Sequence, residues 1–504
     1  MIAAFALDKE QGRLSVSPAV ASALLLCLAT ILIRWPNFGN PFYHGDEQFY
    51  LLVGRSMLDG AIPYVDIWDR KPLGLFLIYA AIGWLSGDGI YQYQAVAGLF
   101  VAGTAITIAL IARTFANWVP ATLAGITYIA ALEVMGGGGG QSPVFYNLFI
   151  ALAFLQVVRE KGSAFLAMAC CSLALFIKPT AIAESLMIGG LFLWRDWTAT
   201  RDHLAVIRKA ALYAAIGAAP YALTMLIYAQ IGHFDAWFYA NVTSIFAKAA
   251  SDAAETEQRA ARLLLLIAPL IAAGGFGLHG LRSSRLHGPL SLWLSAALVG
   301  FLLIPNIYHH YALPLAVPLS VAAAGLYARL PIGGLYAGFV CLWMLSLGQY
   351  PAFDRTRQSI SSSDAAVRII KANLGTCCLY VHQGPPSLHD LAGACRLTSR
   401  AFPEHLNSAN ERYAIGVDTA AEVKRILAAK PSIIVTGPAP RHAPFNPETL
   451  SLVDSIVAKD YRLVRSLDYN SATSSQRMDI YVRIKPATPL GLIRANGASP
   501  DHPR

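Results

Sequence analysis

The sequence is poor in charged residues. Only 14% of its 504 residues are Asp, Glu, Lys or Arg, whereas 55% are hydrophobic. Soluble domains have about a quarter of their residues charged, so this composition argues against an ordinary soluble enzyme. Apolar runs long enough to cross a bilayer recur along the chain, which predicts a polytopic α-helical membrane protein.

Several functional patterns are missing as well. The glycine run at 136–140 lacks the Lys-Ser/Thr ending of a nucleotide-phosphate loop, and no predicted strand precedes it. The net charge is +9, but the basic residues form no stripe with interleaved aromatics, so we expect no nucleic-acid partner. The seven cysteines are not spaced as a zinc site. We find no internal repeat.

Hydropathy predicts about eleven spanning helices. The apolar stretch 71–87 is short, and we interpret it as an interfacial or re-entrant helix. The long loop 232–260 is either an amphipathic surface helix or a mobile gating loop. The predicted spans are 18–35, 94–113, 119–135, 144–158, 163–178, 180–195, 210–231, 261–281, 289–306, 311–328 and 332–349.

The distribution of charge predicts the orientation in the membrane. With 71–87 not spanning, every predicted inner loop is basic and most loop acids lie in the outer loops, as the positive-inside rule requires. The first apolar segment has no small-residue cleavage site, so we read it as a retained anchor. We therefore expect a multi-pass protein of the inner (plasma) membrane, with a cytoplasmic N-terminus and an extracytoplasmic C-terminal domain.

The composition changes near residue 350. We predict a transmembrane domain over 1–350, whose first outer loop is 36–93, a small extracytoplasmic α/β domain over 351–485 and a disordered tail over 486–504. Outside the cytoplasm, Cys395 could pair with either Cys377 or Cys378.

One polar segment follows the first span. It contains Asp-Glu-Gln-Phe-Tyr at 46–50, Gly-Ala-Ile-Pro-Tyr-Val-Asp at 60–66 and Asp-Arg-Lys-Pro-Leu at 69–73. Titratable groups beside lipid are costly and favour a functional role. This order of motifs resembles the first outer loop of GT-C glycosyltransferases that use polyprenyl-phosphate sugars, such as the protein O-mannosyltransferases and aminoarabinose transferases (glycosyltransferase families 39 and 83). Leu73 stands where those families have a second Pro.

The resemblance implies an inverting transfer of one sugar from a polyprenyl-phosphate donor to an envelope acceptor, with no required metal or other cofactor. Asp46 is then the expected general base, and Glu47 is either an alternative base or a residue that orients the loop. We expect the incomplete hydration at the membrane surface to raise the pKa of such a carboxylate. A purely structural alternative is that Asp46 caps a helix beginning near Gln48.

Cations near the outer face are the candidates for holding the donor phosphate. Lys71 matches the Lys of the family motif, although a lysine that snorkels to lipid head groups would look the same. Lys178 precedes a Pro between two predicted spans, where a Lys-Pro pair that only ends a helix is the alternative. His309 and His310 lie before the next-to-last span, where an interfacial aromatic belt is the alternative.

The remaining polar residues are candidates for binding the sugar or the acceptor. The glycine turn lacks the acidic residue that many relatives have there, so either Glu133 takes its place or neutral amides bind the sugar. The candidates are Asp66, Asp69, Glu133, Gln141, Asn147 and Tyr311.

Two other functions stay open on the sequence alone. A transporter or flippase of a lipid-linked sugar would require charges deep within helices and usually a repeat between halves. A non-catalytic membrane scaffold would need only the outer domain. The sequence names neither the sugar nor the acceptor, which could be a glycolipid, a glycan or a protein.

Overall fold

The computed structural model describes residues 5–7, 14–249, 251–304, 306–375, 378–438 and 444–484. Two short antiparallel strands, β1 (Phe5–Leu7) and β2 (Leu14–Val16), come before the first helix. The helices that follow, up to residue 350, are α1 (Pro18–Arg34), α2 (Gly45–Leu58), α3 (Leu73–Gly83), α4 (Ile90–Ala112), α5 (Trp118–Val134), α6 (Ser142–Val158), α7 (Ala164–Ile177), α8 (Ile182–Thr200), α9 (His203–Gln230), α10 (Phe234–Phe238), α11 (Ser244–Ala247), α12 (Ala253–Gly280), α13 (His287–Leu302), α14 (Leu313–Tyr327) and α15 (Ile332–Leu347).

Every predicted spanning segment contains a helix. Within the described residues, five helices are long and apolar enough to cross a membrane, and six shorter apolar helices accompany them. The chain is therefore a multi-pass membrane protein. Helix α3 has 11 residues and is about 16 Å long, half of the hydrocarbon thickness. The interfacial or re-entrant position that the sequence predicts for 71–87 stays a prediction.

Helix α14 forms the centre of the membrane region. It is buried over nearly its whole length and packs against α4, α5, α12 and α13. A helix that is apolar on every face is expected in such a position. The polar residues that precede α14 are thereby held at one end of the helix bundle.

The chain after residue 350 contains both helices and strands. The strand order in its sheet is β3-β4-β6-β5, with β3 parallel to β4 and the other pairs antiparallel. The elements are α16 (Phe353–Asn373), β3 (Leu379–Val381), α17 (Leu388–Leu391), α18 (Pro403–Asn407), α19 (Thr419–Ala428), β4 (Ile433–Thr436), α20 (Pro447–Asp460), β5 (Tyr461–Asn470) and β6 (Ser475–Arg483).

A disulfide stabilises this C-terminal region. Cys395 pairs with Cys378, one of the two partners that the sequence left open. Residue 377 and the predicted disordered tail, 486–504, lie outside the described residues.

The first outer loop is held between the membrane helices and the C-terminal region. The N–H of Trp68 donates to the Ser399 carbonyl at 2.9 Å, and Ser387 Oγ donates to Gln48 Oε1 at 2.8 Å. Arg396 Nη1 donates to Ser56 Oγ at 2.9 Å. These contacts come from widely separated parts of the sequence, so the C-terminal region covers the polar segment that follows α1.

Candidate functional site

The first turn of α2 presents two adjacent carboxylates. The helix begins at Gly45, and its N-cap is His44, whose Nδ1 accepts from the Asp46 N–H at 3.3 Å. The expectation that Asp46 caps a helix starting near Gln48 is therefore wrong. Asp46 instead lies inside the first turn, where the helix dipole favours a negative charge.

The Asp46 carboxylate is surrounded by polar groups from three segments. Its Oδ2 lies 3.3 Å from Gln141 Nε2, 4.0 Å from His44 Nδ1 and 3.9 Å from His310 Nε2. Gln141 Nε2 also lies 2.7 Å from His44 Nδ1. Because Nδ1 faces two donors, we assign the proton of neutral His44 to Nε2. The structure therefore brings the first turn of α2, the residue after the glycine turn and the segment before α14 together.

The charge state of Asp46 differs from the sequence-based expectation. Burial alone would raise the pKa of Asp46, but the nearby Lys71, the two histidines and the Gln141 amide lower it well below its usual value. The predicted rise is wrong because it considered burial without the neighbouring charges. Asp46 is consequently ionised at neutral pH.

Two lysines flank this carboxylate. Lys71 Nζ lies 3.9 Å from Asp69 Oδ2 and 5.5 Å from the centre of the Tyr50 ring. Lys178, which is buried, places its Nζ 4.7 Å from the centre of the Tyr311 ring. Lys71 and Asp46 are the charged groups that act most on Lys178. The Asp46 carboxylate and the two lysine side chains therefore act on one another electrostatically, and the polar region that they form is called the chamber below.

Asp69 contributes to this chamber indirectly. Its Oδ1 accepts from the Arg70 N–H at 2.7 Å and lies 3.9 Å from His405 Nε2. Burial raises the pKa of Asp69, while the charges of Lys71 and Arg70 oppose the rise. Because Asp69 also lies beside the Lys71 ammonium, we interpret Asp69 as a residue that positions Lys71.

Glu47 is enclosed, unlike Asp46. Its side chain is fully buried, and a Cβ added to Gly139 would lie 1.9 Å from Glu47 Oε2. Burial raises the pKa of Glu47 to about 8, against the opposing effects of the Gly140 backbone and the Arg34 charge. These surroundings fit the loop-orienting alternative for Glu47.

The glycine turn is held by donors on its other side. Arg34 Nη1 and Nη2 donate to the carbonyls of Gly137 and Gly139, both at 2.9 Å. Tyr79 Oη donates to the Gly140 carbonyl at 2.7 Å. Glu47 packs against the same turn. The hydrogen bonds to the glycine carbonyls and this packing together fix the position of Gln141, the residue that follows the turn.

Glu133 and Asn147 lie among the helices. Glu133 Oε2 accepts from Asn37 Nδ2 at 2.8 Å, and Asn147 Nδ2 donates to the Leu313 carbonyl at 3.2 Å. Their contacts hold the helices together, and neither is among the groups that contact Asp46.

Asp66 and His309 face other openings. Asp66 is exposed, its Oδ2 accepts from the Ile62 N–H at 2.7 Å, and it lines an open cleft of about 490 Å³ with Arg396 and Arg425. His309 lines a small notch that also contains Glu133. Of the predicted site residues, the structure therefore gathers Asp69, Lys71, Gln141, Lys178, His310 and Tyr311 around Asp46.

Sequence reasoning missed an ion cluster between the first outer loop and the C-terminal region. Arg70 donates to both oxygens of Glu411, at 2.8 and 2.5 Å, and Lys248 Nζ lies 2.7 Å from Glu411 Oε1. The Arg70–Glu411 pair joins positions 341 residues apart, so no local pattern could reveal it. His44 was also missed, although its place just before an acidic helix start was a usable sign of an N-cap.

In the ranges that the structure describes, no group of three or more His, Cys, Asp and Glu side chains is arranged to hold a metal ion.

Comparison with known proteins identifies the fold. No protein-family model matches the sequence, and no curated protein matches it significantly. Among solved structures, crystal structures of ArnT from Cupriavidus metallidurans match most of the chain. The apo form has a TM-score of 0.58 at 14% identity and covers 92% of this chain and 98% of its own. The form bound to undecaprenyl phosphate has a TM-score of 0.53 at 13% identity and covers 94% and 98%.

The chain has a GT-C-like glycosyltransferase fold. This finding confirms the resemblance drawn from the first outer loop. At 13–14% identity the likeness establishes the fold, and the roles of individual residues must be argued from their own contacts.

Proposed function

We propose that this protein is a membrane glycosyltransferase that moves a single sugar from a polyprenyl-phosphate donor to an acceptor outside the cytoplasm. One observation carries the proposal: an ionised Asp46 carboxylate shares a polar chamber with Lys71 and Lys178, inside a GT-C-like fold. The similarity to a structure bound to undecaprenyl phosphate supports a polyprenyl lipid as the donor carrier.

In the proposed reaction, Asp46 accepts a hydrogen bond from the acceptor hydroxyl and takes its proton as the oxygen attacks the anomeric carbon. The bond between that carbon and the phosphate oxygen breaks on the opposite face, so the anomeric centre inverts. The electron pair leaves with the polyprenyl phosphate. Lys71 and Lys178 stabilise the charge that develops on the leaving phosphate, and the Tyr311 ring holds Lys178 in place.

His310 and Gln141 position the base in this proposal. Both lie beside Asp46 Oδ2, and Gln141 donates to it. They leave the carboxylate ionised while fixing its direction, so that the acceptor meets a prearranged group. The pentose or hexose nature of the sugar is left to experiment.

We also propose the membrane orientation given by the positive-inside rule, with residues 351–485 as an extracytoplasmic domain. The disulfide between Cys378 and Cys395 supports this side, since disulfides persist in oxidising compartments. Protease accessibility of that domain in intact spheroplasts, compared with inverted membrane vesicles, tests it. Cleavage only in inverted vesicles would overturn the proposed orientation.

The function is tested by mass spectrometry of envelope glycolipids, glycans and glycoproteins from a strain lacking this chain. We expect one mass increment of a single sugar to disappear in the deletion strain. It should return with the wild-type chain and not with Asp46→Asn at equal expression. Full restoration by Asp46→Asn would exclude Asp46 as the base, and an unchanged mass profile in the deletion strain would contradict the transferase function.

A further inference from the structure

The segment 60–66 forms a closed turn between α2 and α3. The Asp66 carboxylate accepts from the Ile62 N–H at 2.7 Å, and the Asp66 N–H donates to the Ile62 carbonyl at 2.9 Å. The Tyr64 N–H donates to the Ile67 carbonyl at 2.8 Å. These bonds give a structural role to the Asp that ends the Gly-x-x-Pro-Tyr-x-Asp motif, and they fix the direction in which the Tyr64 side chain leaves the backbone.

Tyr64 has a backbone conformation that is unfavourable for its side chain. Its φ is +69°, in the left-handed region that glycine adopts readily and a bulky residue rarely adopts. Residues held in such conformations cost free energy, and they cluster at functional sites. A glycine would relieve the strain, so the tyrosine indicates that its side chain makes a contact here that a glycine could not make.

The Tyr64 side chain is buried and donates a hydrogen bond to the backbone of Lys71. Its Oη lies 2.9 Å from the Lys71 carbonyl oxygen. Because Pro72 has no N–H, the peptide that joins Lys71 to Pro72 offers only this carbonyl for a hydrogen bond. The bond therefore fixes the backbone from which the Lys71 side chain extends.

Aromatic side chains hold the Tyr64 ring in place. The ring centre lies 5.4 Å from that of Tyr228 in α9 and 6.2 Å from that of Phe76 in α3. Tyr228 Oη also donates to the Pro63 carbonyl at 3.1 Å. The turn is thus attached to two helices of the membrane region, so the Tyr64 hydroxyl is a fixed point against which Lys71 is held.

The Lys71 ammonium is held less closely than its backbone. The side chain is 23% exposed, and Nζ lies 3.9 Å from Asp69 Oδ2, which is longer than a hydrogen bond. Lysine carries its charge on a flexible four-carbon stem. Since the ammonium has this freedom, the region that it can reach depends on how firmly the Lys71 backbone is fixed.

We propose that Tyr64 is a positioning residue for the transfer reaction, and that its hydroxyl fixes the Lys71 backbone so that the ammonium meets the phosphate of the lipid donor. The inference rests on the proposed function, in which Lys71 stabilises the leaving phosphate. It deepens that function by assigning a role to the Gly-x-x-Pro-Tyr-x-Asp motif, which supplies no group to the reaction itself.

The test measures binding of undecaprenyl phosphate to the full-length chain in lipid nanodiscs. Tyr64→Phe removes the hydroxyl and keeps the ring. We expect the dissociation constant for undecaprenyl phosphate to rise about 3- to 10-fold, the effect of one lost neutral hydrogen bond.

Tyr461→Phe is the matched control. Tyr461 is also a buried tyrosine, and its Oη donates to the Pro431 carbonyl at 2.7 Å in the C-terminal region. Both variants should lose similar thermal stability, because each loses one buried hydrogen bond to a carbonyl. Only Tyr64→Phe should bind undecaprenyl phosphate more weakly.

A double-mutant cycle with Lys71→Gln separates positioning from a general loss of structure. In the Lys71→Gln background there is no ammonium to position, so Tyr64→Phe should change the dissociation constant by less than about twofold. An equal loss in both backgrounds, or unchanged binding by Tyr64→Phe alone, would overturn the inference. If Tyr64→Phe does not fold, Tyr228→Phe, which loses the bond to the Pro63 carbonyl of the same turn, gives the decisive comparison in the same cycle.

Transfer is measured on the same variants, with membrane extract of the strain that lacks this chain as the source of donor and acceptor. We expect Tyr64→Phe to slow transfer by at least the factor found for binding, because a displaced cation also stabilises the leaving phosphate less. Absence of transfer by a wild-type chain that binds undecaprenyl phosphate would contradict the proposed function. Normal transfer and normal lipid binding by Tyr64→Phe would remove only the role of Tyr64.

Discussion

The two sides of the first turn of α2 place identical chemical groups in opposite environments. The Asp46 side chain is partly exposed and faces lysines, histidines and an amide, and its pKa is lowered. Glu47, one residue further, faces a glycine turn that encloses it completely, and its pKa is raised to about 8. Adjacent carboxylates whose environments separate their pKa values are candidates for different roles.

The difference teaches that charge in a motif does not by itself identify the reactive group. Asp46 is ionised and accessible, so it can accept a proton. Glu47 carries a proton over most of the neutral range and is out of reach of any substrate in this structure. We therefore assign chemistry to the Asp46 side of the turn and structural support to the Glu47 side, and five experiments on four variants can break that division.

The largest effect is expected for Asp46→Asn. The amide cannot take a proton from the acceptor, and general-base assistance is typically worth about 10²–10⁴ in rate. We expect kcat to fall by that factor while undecaprenyl phosphate affinity and thermal stability change little, measured on the purified chain in nanodiscs. A loss smaller than about fivefold would remove Asp46 from the role of base.

The second largest effect concerns the ion pairs of Glu411, which join the C-terminal region to the first outer loop and to Lys248. Glu411→Gln leaves Arg70 and Lys248 without their carboxylate, and breaking a mostly buried pair typically costs about 3–5 kcal/mol. We expect the C-terminal region to unfold at lower temperature in a scanning fluorescence measurement. Glu448→Gln, which breaks an exposed pair with Arg412, is the control and should cost at most about 1 kcal/mol.

The same pair predicts a pH dependence. Burial opposes ionisation of Glu411, but the hydrogen bonds from Arg70 and the charge of Lys248 lower its pKa below the usual value. A carboxylate whose pKa is lower in the folded state stabilises the fold above its unfolded pKa of about 4.3. Its contribution should be lost as pH falls below that value, and in Glu411→Gln this part of the acid sensitivity should disappear. Identical acid profiles for the two proteins would contradict the assignment.

Much of the fold follows from local sequence patterns. Apolar runs located a helix within each of the eleven predicted spans. The positive-inside rule predicted that Lys178 and His310 lie on the same side of the membrane as Asp46, and this prediction used no knowledge of the fold. These features depend on nearby residues or on the overall charge pattern, which a single sequence contains.

The details of the site depend on contacts between distant residues. Arg70 pairs with Glu411, and Arg34 holds carbonyls of the glycine turn more than a hundred positions away. The direction of the Asp46 pKa shift follows from which charges the fold brings to it, so burial alone gave the wrong sign.

A smaller effect is expected for Gly139→Ala, which tests the enclosure of Glu47. The added Cβ would overlap the buried Glu47 carboxylate, and overpacking of this kind typically costs about 1–3 kcal/mol. Gly338→Ala in α15, where a Cβ meets nothing within 4 Å, is the control and should be neutral or slightly stabilising. Thermal unfolding of the two variants compares them. Equal stability of Gly139→Ala and wild type would show that the turn does not enclose Glu47.

The smallest effect is expected for Glu47→Gln. At neutral pH Glu47 already carries a proton for most of the time, so the amide closely reproduces its shape and charge. We expect kcat within about threefold of wild type, and near pH 4, where Glu47 is largely protonated in both the folded and the unfolded state, a stability change below about 1 kcal/mol, since no ion pair is broken. Because the folded-state pKa of Glu47 is raised to about 8, the stability of the wild type should fall relative to that of the variant as pH rises from about 4.3 to about 8 and then level off. A loss of activity as large as that of Asp46→Asn would instead place Glu47 in the chemistry, and the division between the two sides of the turn would fail.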